Sequence, residues 1–249
     1  MTVHEFRDAI GSHFQYKPTI GQAELVNMLA EFIGSSPNER QVFVLKGYAG
    51  TGKTTIVSAL VKTLPLLQID CVLLAPTGRA AKVLASYSNT SAYTVHKKIY
   101  MPRTASNGSL TLRLMSNKQK NTLFIVDEAS MISGQSAQGD TGIFGSRNLL
   151  DDIVEYVFEG VGCRLLLIGD TAQLPPVGSA LSPALDITWL SQTYNMHIRS
   201  FELTEVVRQA LQSGILANAT ALRSKITAKD PASPFFDTNN LLLFKNRIC

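Results

Sequence analysis

The stretch KGYAGTGKTTI, Lys46 to Ile56, constrains the fold more than any other part of the chain. It fits G-x-x-x-x-G-K-[ST], a loop whose glycines let backbone N–H groups approach phosphate oxygens without a Cβ in the way. Such a loop needs a buried strand before it and a helix after it. The flanks comply: VFVLKG (42–47) is an apolar run, and TTIVSALVKTL (54–64) has helical period. The expected nucleotide contacts are Gly47, Ala49, Gly50, Thr51, Gly52, Lys53, Thr54 and Thr55. The helix start adds its positive end. Lys53 is expected to neutralise the β- and γ-phosphates, and the Thr54 hydroxyl to ligate Mg²⁺.

Further apolar runs bounded by turn residues read as buried strands: CVLLA (71–75), TLFIVDE (122–128) and CRLLLIGD (163–170), with shorter candidates SFEL (200–203) and LLLF (241–244). Helical periods fall between them, in QAELVNMLAEFI (22–33), GRAAKVLASYS (78–88), RNLLDDIVEYVFEG (147–160) and 208–226. This alternation predicts an α/β fold with a mainly parallel sheet covered by helices on both faces. Two segments break it. Residues 100–121 contain Asn107-Gly108 and the strand-like LTLRL, which predicts an inserted β-hairpin. Residues 133–146 are rich in Gly and Ser and read as a loop.

Two further strand ends carry chemistry. TLFIVDEAS ends in Asp127 and Glu128, whose side chains alternate across the strand and can take separate tasks. Asp127 is expected in the Mg²⁺ shell, and Glu128 is expected to polarise a water for attack on the γ-phosphate. In LLLIGDTAQLPPVG, Gly169-Asp170 ends a buried strand. Gln173 beyond it both donates and accepts, which suits sensing a γ-phosphate or its attacking water. Pro175 and Pro176 stiffen the segment, so that motion at Gln173 would be passed on. A GTPase is disfavoured, because NKQK (117–120) has a lysine where an N-K-x-D element needs aspartate. A metabolic kinase is also disfavoured, because no substrate site is visible.

In order, PTIGQ, GYAGTGKTT, APTGRAAKVL, TVHKKIY, IVDEASMI, GDTAQLPPVG and LTEVVRQ resemble the motifs of superfamily-one DNA helicases of the RecD and Dda type. The likeness runs from Gln22 to Arg208. It implies a RecA-like P-loop NTPase fold and an ATP-driven motor moving 5′ to 3′ on single-stranded DNA, with ATP and Mg²⁺ as cofactors. By resemblance Gln22 reads the adenine edge and Arg208 meets the γ-phosphate; the alternatives are a helix-start glutamine and a surface arginine. The family's DNA contacts fall on Thr77, Gly78, Arg79, Thr94 and His96. A helix start at Thr77 and Gly78 suits a phosphate, whereas Thr94 could equally be a helix cap and His96 a packing residue. The family's hairpin is a duplex-splitting pin, and Arg103, Arg113, Lys118 and Lys120 give this one a basic surface; a merely solvated basic hairpin is the alternative.

The resemblance also implies a second RecA-like domain as partner. Residues 1–249 are expected to be the first motor domain alone, and a monomer. The other functional class left open is a nucleotide-dependent DNA-binding or assembly module without motor activity. Composition excludes little else. The net charge of +4 permits a polyanion partner without requiring one. The three cysteines show no C-x-x-C pair, which argues against zinc and a disulfide framework. The N-terminus lacks a signal-peptide core, and no apolar run is long enough to span a membrane, so a cytoplasmic setting is expected.

Overall fold

A computed structural model of the chain describes residues 1–14, 17–36, 39–104, 110–134, 148–173, 176, 181–207, 218, 219, 221, 222, 224 and 225. Among these, strands β1 (Gln41–Gly47), β2 (Asp70–Ala75), β3 (Ala92–Thr94), β6 (Thr122–Val126), β7 (Arg164–Gly169) and β8 (His197–Leu203) form one sheet in the order β3-β2-β6-β7-β1-β8. Every pairing in it is parallel. The inner strands are apolar at nearly every position because both faces are covered. Phe43, Leu45, Leu73, Ile125 and Ile168 point into a core shared with α1 (Val3–Ser12), α2 (Ile20–Gly34), α3 (Lys53–Thr63) and α4 (Gly78–Ser88). Their neighbours Val42, Val44, Leu74, Phe124 and Leu167 point the other way, toward α5 (Val95–Ile99), α6 (Leu149–Glu159) and α7 (Ile187–Tyr194).

The α/β expectation therefore holds, with differences of detail. SFEL extends back to His197, because β8 pairs with β1 over its whole length. Its His, Arg and Ser are those of an edge strand and hide it from an apolar count. Helix α1 is announced only by a capping box, in which Thr2 and Glu5 satisfy each other's backbone N–H. It buries Phe6 and Ile10. Of the cysteines, Cys163 is buried and Cys71 half-buried, as packing residues.

The insertion divides in two. Strands β4 (Tyr100–Thr104) and β5 (Leu110–Leu114) pair antiparallel as a separate hairpin. Residues 115–121 belong instead to the body. The Met115 N–H donates to the Ile99 carbonyl at 2.7 Å, and buried Asn117 donates its backbone N–H to Glu159 at 2.7 Å. The stretch NKQK thus comes after the hairpin, and Asn117 is a structural brace. The Asn107-Gly108 turn, the loop from 135, Pro175, the strand at 241–244 and most of the helix at 208–226 lie outside the described residues. No described helix is long and apolar enough to cross a membrane.

Candidate active site

A cavity of about 800 Å³ opens where β1, β6 and β7 end. The register aligns these ends, with Lys46 opposite Gly169 and Val126 opposite Leu167. Gly169 is required there: a Cβ would lie 2.7 Å from Leu185 and 3.0 Å from the Ser130 nitrogen. The phosphate-type loop after β1 turns through Gly50 (φ 80°) and Gly52 (φ 91°). A side chain at 52 would also collide with the Gln22 amide. Gly52 starts α3 with no side-chain cap, whereas Thr2, Thr19, Thr77, Thr94, Asn148 and Asp186 cap the other numbered helices. Gly52 thus puts no side chain over the start of α3, the end of a helix that suits an anion.

Ala49, Gly50, Gly52, Lys53, Thr54 and Thr55 line this cavity together with Gln22, Asp127, Glu128 and Gln173. Gly47 and Thr51 stand behind it. The Thr51 side chain is buried, its hydroxyl donating to the Tyr48 carbonyl at 2.8 Å. The Lys53 ammonium donates to the Gly47 and Tyr48 carbonyls, the latter at 2.9 Å. Gln22 is buried and doubly engaged. Its Oε1 accepts from Thr19 N at 3.1 Å, and its Nε2 donates to the Thr51 carbonyl at 3.0 Å. One N–H and one lone pair of that amide are left for a ligand.

Asp127 and Glu128 come directly after β6. Asp127 accepts from Glu128 N at 2.9 Å on Oδ1 and from the Tyr87 hydroxyl at 2.7 Å on Oδ2. Glu128 takes a left-handed backbone, φ 55°. Burial, and then the neighbouring Asp127 carboxylate, push its carboxyl above the ordinary range, opposed in part by a Gln173 hydrogen bond and by Lys53. Gln173 in turn accepts from the Ser130 hydroxyl at 3.2 Å. Tyr87 stays a protonated phenol, because burial and Asp127 raise it far above its usual value. The Thr54 hydroxyl and the Asp127 carboxylate offer a divalent ion hard oxygen donors here. Among the described residues no group of three or more His, Cys, Asp or Glu could hold a metal by itself. That donor set fits Mg²⁺ arriving with phosphates and water.

The five residues expected to touch nucleic acid lie along the same sheet edge, outside this cavity. Ala75 at the end of β2 is opposite Thr94 at the end of β3. Thr77 and Thr94 are both helix caps, accepting from Ala80 N at 3.2 Å and Lys97 N at 3.3 Å. Gly78 and Arg79 are exposed, with open space where a Cβ at 78 would stand. His96 packs on Tyr100, ring centres 5.6 Å apart, and burial pushes its imidazole below the ordinary value.

A family profile described as an AAA domain matches residues 20–232. The chain belongs to the AAA domain family. It is 33% identical over 183 residues to the ATP-dependent RecD2 DNA helicase of Deinococcus radiodurans, covering 73% of this chain and 22% of that protein. It is 28% identical over 210 residues to the ATP-dependent DNA helicase dda of Enterobacteria phage T4, covering 83% of this chain and 42% of the relative. These relatives bear out the resemblance to superfamily-one helicases of the RecD and Dda type. The Pif1 helicase of Candida albicans shares the fold, with TM-score 0.50, 19% identity, and coverage of 84% of this chain and 44% of that one. The chain thus spans less than half the length of each of these proteins.

Within this AAA domain, sequence reasoning missed several residues. His13, Phe14 and Lys17 line the cavity near Gln22 but lie before the first helicase-like motif. Ser130 lies inside such a motif with no task suggested by it. Tyr87 stands at helical spacing from Leu84, which marks it as core. Arg208 lies outside the described residues, although its neighbour Val207 donates its N–H to the Gly50 carbonyl at 3.1 Å and lines the cavity.

Proposed function

We propose that this AAA domain binds ATP with Mg²⁺ and hydrolyses it as the first motor domain of a DNA helicase. The observation that carries the reading is the convergence of Lys53, Thr54, Asp127, Glu128 and Gln173 on one cavity. Lys53 leaves its loop carbonyls to bind the β- and γ-phosphates, with the uncapped start of α3 behind them. Thr54 and Asp127 hold the Mg²⁺ shell; the ion screens phosphate charge when bound. Glu128, its carboxyl raised, accepts a proton from the attacking water. Gln173, held by Ser130 and bonded to Glu128, orients that water and reports the γ-phosphate. Gln22 reads adenine with its remaining N–H and lone pair. Arg208 is proposed to stabilise charge on the transferring phosphoryl group.

Single-stranded DNA is proposed to lie along Thr77, Gly78, Arg79, Thr94 and His96. Movement 5′ to 3′ requires a second RecA-like domain that closes and opens over the nucleotide. The decisive experiment measures ATP binding and turnover, with and without a single-stranded oligonucleotide. Lys53→Ala is expected to abolish binding, and Glu128→Gln to keep binding and lose turnover. Turnover that survives both substitutions would sink the assignment. Direction is tested on a motor carrying both domains, by displacement of streptavidin from 5′- or 3′-biotinylated strands.

A further inference from the structure

We propose that the Tyr87 hydroxyl fixes the Asp127 carboxylate for Mg²⁺, making Tyr87 a positioning residue of the metal site. This deepens the nucleotide reading above and rests on it. Tyr87 lies near the end of α4, yet it lines the same cavity as Thr54 and Asp127. Its hydroxyl donates to Asp127 Oδ2 at 2.7 Å, while Oδ1 accepts from Glu128 N at 2.9 Å. One donor on each oxygen fixes the carboxylate plane. Each oxygen keeps a lone pair for the ion's shell.

The anchoring of Tyr87 itself joins the two elements that would hold the ion. Its carbonyl accepts from the Ser58 hydroxyl at 2.9 Å. Ser58 stands one turn beyond Thr54 on α3. Tyr87 therefore ties the helix that bears Thr54 to the strand end that bears Asp127. Its ring packs against the core beneath α3 and α4, so the hydroxyl cannot swing freely. The phenolic O–H is spent on Asp127, so Tyr87 acts as a hydrogen-bond donor to the carboxylate and not as a metal ligand. Partners that orient a metal-holding carboxylate are commonly worth 10- to 100-fold in metal affinity.

The test titrates a fluorescent N-methylanthraniloyl ADP into the 249-residue chain, once with Mg²⁺ and once with EDTA. The ratio of the two affinities is the metal's contribution. In Tyr87→Phe the metal-free affinity should stay within about twofold of wild type, and the Mg²⁺ enhancement should fall about 10-fold. In an Asp127→Asn background, Tyr87→Phe should have no further effect. Ser58→Ala, which loosens the tyrosine without touching its ring, should lower the enhancement by a smaller factor and carries the test should Tyr87→Phe not fold. An unchanged enhancement in both variants overturns the inference. So does an equal loss of affinity with and without Mg²⁺, which would mark a role in cavity shape alone. If the wild-type chain binds no ADP in either condition, the nucleotide reading fails and takes the inference with it; the wild-type arm alone shows which has failed.

Discussion

Glu128 combines a left-handed backbone with a carboxyl whose ionisation is disfavoured by burial and by Asp127. Both features cost stability and are expected where a base must be aimed. A raised folded-state value means the protonated form is the one the fold prefers. The stabilising contribution is therefore full below the ordinary value of 4.5 and is lost as pH rises through the raised value. Glu128→Gln should accordingly melt higher than wild type at pH 7, with the gain vanishing below about pH 4. Turnover should fall by about 10²-fold or more in the same variant. Thermal melts from about pH 3 to 8 check the first claim, and a gain that persists below about pH 4 would refute it. Gln22→Ala should lower the melting temperature, because it removes half of a capping box and the bond to the Thr51 carbonyl. It should also erode discrimination of ATP from GTP; equal discrimination in both proteins removes Gln22 from base reading. Lys53, Asp127, Glu128 and Gln173 were legible because chemistry placed just after a buried strand is conspicuous. Tyr87 was not, because an aromatic at helical spacing from Leu84 carries no sign that its hydroxyl reaches a carboxylate on another element.

The inner strands were legible as elements because each is apolar on both faces. Edge strand β8 and three-residue β3 were read short or missed, since neither has a long apolar run. The hairpin was legible from LTLRL, but its lower limit was not. What returns the chain to the body is a set of contacts with α5 and α6 that no local pattern announces. The Tyr100 hydroxyl donates to Asp152 at 2.6 Å, and Asn117 bonds to Val157 and Glu159. A deletion spanning 101–120 would tear out that brace, whereas 101–114 spares it and gives up the core contact of half-buried Leu114. Replacing 101–114 by a short Gly-Ser turn should leave nucleotide affinity close to wild type, because no described hairpin residue lines the cavity. In a motor carrying both domains, strand-stimulated ATP hydrolysis should survive and duplex unwinding should collapse. Unwinding that survives while ATP hydrolysis falls would make the hairpin a brace of the nucleotide site instead of a pin.

At the scale of the whole molecule, charge is sparse among the five residues proposed to hold the nucleic acid, although Lys97 and Lys98 follow His96 on α5. The net charge is only +4. Along the proposed track Thr77, Gly78 and Thr94 are uncharged. His96 is neutral at pH 7, because burial moves its imidazole below the ordinary 6.5. Arg79 is the one fixed cation of the five. Each phosphate neutralised on a single strand contributes about −0.7 to the slope of log affinity against log salt. A strand whose phosphates meet these five residues alone should therefore show a slope near −0.7 at pH 7.5, with little dependence on sequence, and each of Lys97 and Lys98 that joins them adds about −0.7. Arg79→Ala should bring the slope close to zero. Thr77→Ala with His96→Ala should weaken binding at fixed salt and leave the slope unchanged, because neither group carries charge there. If the strand also crosses the hairpin, the exposed Arg103 and Arg113 would steepen the slope to about −2. The 101–114 deletion would then restore the shallow value. Binding whose slope is steeper than about −2, or that ignores both Arg79→Ala and the deletion, would place the DNA on another face of the domain.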